Sequence, residues 1–194
     1  MYKRQGGNRE DARPWLMRYY NSLHYVDSQI ARAVGALEER GLLDDTLVFI
    51  CGDHGEEFNE CGNLGHNARG FNRYQAQTIM VAHVPGAAPK RVTRLTSNVD
   101  IAATVLGAAG ARNPPSDYCQ GVPLTSETGP EFVFVASWDI GAIVEDGRIS
   151  AYGLKAYNAF DADVTDLDGR PIPGGEASGR RLGEVLVRMT EFMK

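Results

Sequence analysis

From Pro14 to Arg40, apolar residues recur at three- and four-residue steps. Leu16, Tyr20, Leu23, Ile30, Val34 and Leu37 carry the pattern and predict one amphipathic helix. Gly41 supplies its C-terminal stop. After a short connection, Thr46 to Cys51 is a continuous apolar run rich in β-branched and aromatic side chains. Such a run predicts a central parallel strand covered on both faces, ended by Gly52. A second strand is expected from Thr78 to Val84, stopped by Pro85-Gly86. A helix follows from Val99 to Ala109, with Ser97 or Asn98 as its cap and Asp100 in its first turn. Helix, short loop and buried strand in alternation give an α/β class, here part of a wound, mostly parallel sheet with flanking helices.

The pattern changes near Glu131. Phe132–Ser137, Ala142–Glu145, Arg148–Tyr152 and Lys155–Phe160 read as short strands, with Asp146-Gly147 a hairpin turn and Asp166 to Arg170 another turn. Arg180 to Met193 closes the chain as an amphipathic helix, with Leu182, Val185, Leu186, Met189 and Phe192 on one side. The expected organisation is an α/β part over 14–130 and a small antiparallel α+β subdomain over 131–194. Residues 1–13 show neither periodicity nor a cap and are expected to be an artefactual or disordered start. Met1 to Gln5 equals the translation of a sequencing-adapter end, so the chain is expected to be the C-terminal part of a longer protein.

Composition narrows the function classes. The 194 residues are 43% hydrophobic and 23% charged, ordinary for a globular protein with a core. A net charge of -5 argues against general nucleic-acid binding. No apolar run approaches the length of a membrane span. Of three cysteines, Cys51 lies in the apolar strand and is expected in the core. Cys61 and Cys119 fall in loops, where they either pair in an oxidising compartment or remain free thiols.

Chemistry concentrates where the first strand ends. Asp53, His54, Glu56 and Glu57 follow Gly52 directly. Open α/β sheets bind ligands at the carboxyl ends of their strands. Asp53 and His54 together suit a divalent cation: the carboxylate brings charge, and the imidazole favours zinc or manganese over calcium. The competing reading makes Asp53 a turn cap and His54 a satisfied loop histidine. His66, twelve positions after His54 across a Gly- and Asn-rich loop, is placed to supply a third ligand or an oxyanion contact. Arg69, Arg73, Lys90, Arg91 and Arg94 form a basic cluster that could steer an anionic substrate or lipid head group, or be a solvated face. Arg69 and Arg73 are the better candidates because they follow His66 directly. His24 and His83 read as structural. No Gly-x-Ser-x-Gly elbow, phosphate-cradling loop or dinucleotide fingerprint is present.

Five blocks in order carry a resemblance. They are YYNSLHYVDSQI, LLDDTLVFICGDHGEEF, Gly65-His66-Asn67, MVAHVPG and TSNVDIAATVLGAA. Together they resemble the metal-binding C-terminal half of the alkaline phosphatase/sulfatase superfamily. The segments from Phe71 to Gln75 and from Pro115 to Gly121 are similar, more narrowly, to the periplasmic sulfatase-like domain of bacterial inner-membrane proteins that regulate lipopolysaccharide synthesis. The resemblance covers about Leu16 to Leu124.

It implies that Asp53 and His54 are paired metal ligands, for Zn, Mn, Mg or Ca, and that His66 contacts substrate or a second metal. It implies hydrolysis of sulfate or phosphate esters by a hydroxyl nucleophile near the metal. None of Cys51, Cys61 or Cys119 has the Cys/Ser-x-Pro/Ala-x-Arg context of a formylglycine, so that nucleophile is expected upstream, and the chain alone is expected to be inactive. The alternative implied is a membrane-anchored lipid-binding regulator, or a phosphoryl-group transferase of the same fold, with little turnover. Either way the expected partner is an anionic ester or lipid head group and not nucleic acid. The expected place is the periplasmic face of the inner membrane, with a membrane segment upstream, or outside the cell.

Overall fold

The computed structural model describes residues 9–66, 71–138, 140–145, 147–153, 162–176 and 179–191. The chain opens with α1 (Arg9–Glu38), a 30-residue helix. It begins at Arg9, not at Pro14, so the expected irregular start extends less far than 13. Pro14 lies inside the helix near its first turns, where its ring forgoes one backbone bond. A 3-10 turn, Leu43–Asp45, leads into β1 (Val48–Cys51). β1 pairs with β4 (Met80–His83), Cys51 opposite Met80 and Val48 opposite His83.

This pairing is antiparallel, and it corrects the expectation of a mostly parallel sheet: every strand pair among the described residues is antiparallel. An apolar run records how much of a strand is to be covered, not which way its neighbour runs. The cover is also thinner than the run predicts. Cys51 is exposed, not in the core, and Ile79 and Val81 are more than half exposed.

Between β1 and β4 the chain makes a miniature ribbon, β2 (Glu57–Phe58) against β3 (Leu64–Gly65), then a single-turn helix α2 (Arg73–Ala76). α1 crosses this ribbon, with the Tyr19 ring 5.1 Å from that of Phe58. α3 (Asp100–Ala108) starts at Val99 without a side-chain cap, so neither Ser97 nor Asn98 caps it. Asp100 takes over instead. Its carboxylate, 1% exposed as a residue, accepts from the backbone N–H groups of Ser97 (3.1 Å) and Val122 (2.9 Å). Asn98 turns away and donates to the Gly52 carbonyl, tying α3 to the end of β1.

The second part is a meander, β5 (Val133–Ala136), β6 (Ile140–Glu145), β7 (Arg148–Gly153) and β8 (Ala162–Asp166), in that spatial order, with α4 (Gly179–Glu191) packed on it. The expected antiparallel subdomain is present. β8 is an addition to it, and the strand expected over Lys155–Phe160 lies outside the described residues, as do Met1 to Gln5. The core cluster is Phe132, Ile143, Tyr152 and Val185, with Phe134 and Leu182 against it. Arg181 and Arg188 place their guanidinium groups over the Phe132 ring at 5.1 and 5.0 Å. Cys61 and Cys119 are both free thiols, so the pairing option falls away. No helix among the described residues is long and apolar enough to cross a membrane.

Candidate metal and anion site

β1 delivers the chain to Gly52, and the loop Asp53–Glu56 turns across the strand end. Two glycines allow it. A Cβ on Gly55 would run into the backbone carbonyls of Tyr74 and Gln77, and one on Gly52 into the Thr78 hydroxyl. Only bare backbone approaches α2 this closely. The approach is fixed by the Gly55 N–H, which donates to the Gln75 carbonyl at 2.8 Å.

That placement settles the state of His54. Its Nδ1 lies 2.8 Å from the Gly55 carbonyl oxygen. A carbonyl only accepts, so Nδ1 is the donor in this contact, and in the neutral imidazole Nε2 is the nitrogen that can ligate. Asp53 is beside it: the His54 N–H donates to Asp53 Oδ1 at 3.1 Å, and Asp53 Oδ2 is 3.7 Å from His54 Nε2. The Asp53 side chain is 92% exposed and that of His54 42%, so the pair faces open space.

His66 comes to the same place from β3. Gly65, at φ +89°, lets the chain turn there, and a Cβ on it would sit 3.1 Å from the Glu56 carboxylate. Glu56 Oε2 is 3.0 Å from His66 Nδ1, and the His54 and His66 ring centroids are 4.0 Å apart. One donor atom from each of His54, Glu56 and His66 lies within 4.8 Å of the others. Two imidazoles and a carboxylate are a donor set for a borderline divalent ion such as zinc or manganese. Sequence reasoning did not assign Glu56 a role. The geometry does: it orients His66 through Nδ1 and adds an oxygen donor.

Beneath this face sits a group that the sequence named only in passing. Glu57, the first residue of β2, is 0% exposed, whereas Glu56 just before the strand is only partly buried. Its Oε1 accepts from the backbone N–H groups of Cys61 (2.9 Å) and Asn63 (2.8 Å). Its Oε2 accepts from the side-chain amides of Gln75 (2.6 Å), Asn72 (2.9 Å) and Asn63 (3.5 Å). Burial pushes the Glu57 carboxyl up, but the bonds from Asn72, Gln75, Asn63 and Cys61 outweigh it and hold the carboxyl below its ordinary value. Asn72 in turn caps α2, its Oδ1 accepting from the Tyr74 and Gln75 N–H groups.

Among the described residues of the expected basic cluster, Arg73 and Arg94 line one cavity, and each of Arg73, Lys90 and Arg94 has partners of its own. Arg69 lies outside the described residues. Arg73 Nε is 2.7 Å from Asp168 Oδ1, in the turn after β8. Lys90 pairs with Glu127 at 2.7 Å, and Arg94 donates to the carbonyls of Leu95, Pro123 and Ser126. Arg73 keeps a place near the site, because Asp53 and Arg73 both line a cavity of about 520 Å³. Thr78 and Asn98 complete that wall, and Val133 and Val135 of β5 face it. Asp168 also backs the site: its carbonyl accepts from the Cys61 thiol at 2.9 Å, while the Leu167 carbonyl accepts from the Arg73 N–H at 2.8 Å. Burial first, then the charges of Glu57, Asp168 and Glu60, push the Cys61 thiol up, so it is a structural donor and not a nucleophile.

With this geometry in hand, comparison with known proteins is specific. The sulfatase family model matches residues 2–111. Choline-sulfatase of Rhizobium meliloti (strain 1021) is 30% identical over 174 residues, which is 84% of this chain and 33% of that protein. Inner membrane protein YejM of Salmonella typhimurium is 29% identical over 119 residues, 60% of this chain and 20% of that protein. Among solved structures, a protein in complex with its substrate D-glucosamine-2-N,6-O-disulfate superposes with a TM-score of 0.61 at 20% identity, over 87% of this chain and 38% of that one. The chain thus spans about a third of the length of the choline-sulfatase it matches.

Proposed function

The chain belongs to the sulfatase family, and from that premise we propose that it forms the strand-end half of a metal-dependent site for hydrolysing sulfate or phosphate esters. The observation that carries the proposal is the orientation of His54, whose ring shares one small space with Glu56 and His66. Nδ1 is spent on the Gly55 carbonyl, so Nε2 presents its lone pair beside Asp53, Glu56 and His66. Asp53 and His54 would hold the ion, with His66 oriented by Glu56 at the neighbouring position. A bound divalent ion supplies charge neutralisation for the ester oxygens.

The remaining work falls to this chain's own groups. His66, its Nδ1 held by Glu56, would donate through Nε2 to an oxygen of the anionic ester when the ring is the imidazolium. Arg73 attracts the anion from the cavity beside Asp53, and that cavity receives the organic part of the ester. We assign no nucleophile among these 194 residues, and the chain alone is expected to bind without turning over. The test is calorimetric titration of Zn²⁺ and Mn²⁺ into the chain. Asp53→Ala and His54→Ala are each expected to lower affinity at least about 10-fold. Equal affinity in wild type and both variants would sink the proposal.

A second reading is favoured by the similarity to YejM, an inner membrane protein: a regulator at the periplasmic membrane face that uses the same site to hold a lipid head group. Co-sedimentation with anionic vesicles separates the two. Arg73-dependent capture by vesicles, without affinity for a soluble aryl sulfate, supports the regulator.

A further inference from the structure

We infer that Glu57 is a positioning residue for the two histidines, a single buried carboxylate that fixes both sides of the candidate site. The inference rests on the reading of His54 and His66 as site residues given above. Three bonded paths leave this carboxylate. Through Oε2 it holds the Gln75 amide. The Gln75 carbonyl holds the Gly55 N–H, and the Gly55 carbonyl holds His54 Nδ1. Through Oε1 it holds the Asn63 N–H, at the head of β3, which ends one residue before His66. Through Oε2 it also holds Asn72, the cap of the α2 turn that carries Gln75. The two histidines are thus set against each other by one group that touches neither.

The charge matters as well as the shape. All five neighbours of Glu57 are N–H donors, and a carboxylate is the side chain of this size that only accepts. In Glu57→Gln the two backbone N–H groups keep the amide oxygen at the Oε1 position. The amide nitrogen then occupies the Oε2 position and faces the donors of Gln75 and Asn72. Asn72 cannot answer by turning over, because its oxygen caps α2. Gln75→Glu in the same chain would restore an acceptor opposite that nitrogen and remake the link toward Gly55.

The experiment uses the full 194-residue chain as wild type, E57Q and E57Q/Q75E, each held where its circular dichroism is that of the folded state. Two quantities are read: the His54 tautomer by ¹⁵N NMR, and Zn²⁺ affinity by calorimetry. Wild type is expected to show His54 protonated at Nδ1. E57Q is expected to lose that single tautomer and to bind Zn²⁺ about 10- to 100-fold more weakly, the range for groups that orient metal ligands. The double variant is expected to recover the tautomer and most of the affinity. A folded E57Q with the wild-type tautomer and affinity overturns the inference. Should E57Q not fold, the double variant decides: a folded double variant without the Nδ1 tautomer overturns the inference, and one with it supports it. If wild type binds no Zn²⁺ while the tautomer still follows residue 57, the metal reading fails and the positioning role stands.

Discussion

The half of the molecule that carries the site and the half that follows it are held together by different means. From Val133 to Glu191, β5 to β8 and α4 close on hydrocarbon: Ile143 and Ile149 are essentially without exposure, and Phe132, Tyr152 and Val185 complete the core. In the site-bearing half the most deeply buried large side chains are polar. Glu57 and Asp100 are each wrapped in backbone or amide N–H groups, while Ile79, Val81, Trp15 and Tyr25 stand more than half exposed. Apolar packing is non-directional and tolerates small shifts in relative position. Hydrogen bonds to a buried carboxylate fix distance and angle and penalise any departure. The division of labour follows: hydrocarbon stabilises the sheet that backs the site, and polar knots set the coordinates of the groups that do chemistry.

The largest test of that contrast is Ile143→Ala, which should cost about 3.5 kcal/mol, the transfer and cavity cost of a core isoleucine. Urea unfolding followed by far-ultraviolet circular dichroism should register the loss. If the contrast is right, the His54 tautomer stays unchanged under native conditions. Gly55→Ala is the mirror experiment. Its Cβ meets the Tyr74 and Gln77 carbonyls, and about 2 kcal/mol of overpacking falls on the site loop. Amide exchange should then quicken at Gly55 and His54 but not across β6 and β7, and uniform quickening would erase the distinction.

Acid provides a milder probe. The folded Glu57 carboxyl titrates below its unfolded value of 4.5, so its contribution is fully present above that value and is lost as pH falls through the lower folded value. Amide protection at Cys61 and Asn63 should therefore fade in this acid window before that of β6 and β7, and in E57Q the acid step should vanish. The smallest effect is expected at Arg73→Ala. Its partly exposed pair with Asp168 contributes about 0.5 kcal/mol or less, so thermal stability should barely move. Anion capture should weaken nonetheless, and a large drop in melting temperature instead would make Arg73 a structural tie to the Asp168 turn.

The same contrast explains what could be read from the residues alone. α1, α3, α4 and the strands β5 to β7 follow from apolar spacing and from the turn at Gly147, because each element's own side chains decide its burial. The direction of β4 beside β1 does not, since Thr46 to Cys51 encodes cover and not the sense of its neighbour. β8 escaped because Ala162–Asp166 is short and acidic and becomes a strand only through its ladder with β7. At the site, Asp53, His54 and His66 were legible as a donor pattern. Glu56 and Glu57 were not separable, because adjacent glutamates reveal their different burial only once β2 begins at the second of them. Asn72 and Gln75, at the cap and within the single turn of α2, are buried where that turn aims their amides at Glu57.

The latch between the Cys61 thiol and the Asp168 carbonyl spans 107 residues of sequence. During synthesis the histidine loop therefore leaves the ribosome long before the turn that braces it. The Glu57 network that spaces His54 and His66 is complete once Gln75 has emerged, while its outer tie to Asp168 waits until β8 has folded back, so the site gains its last support late in biogenesis. A chain stopped short of Asp168 would carry these donor atoms and the Glu57 network and lack only that outer support.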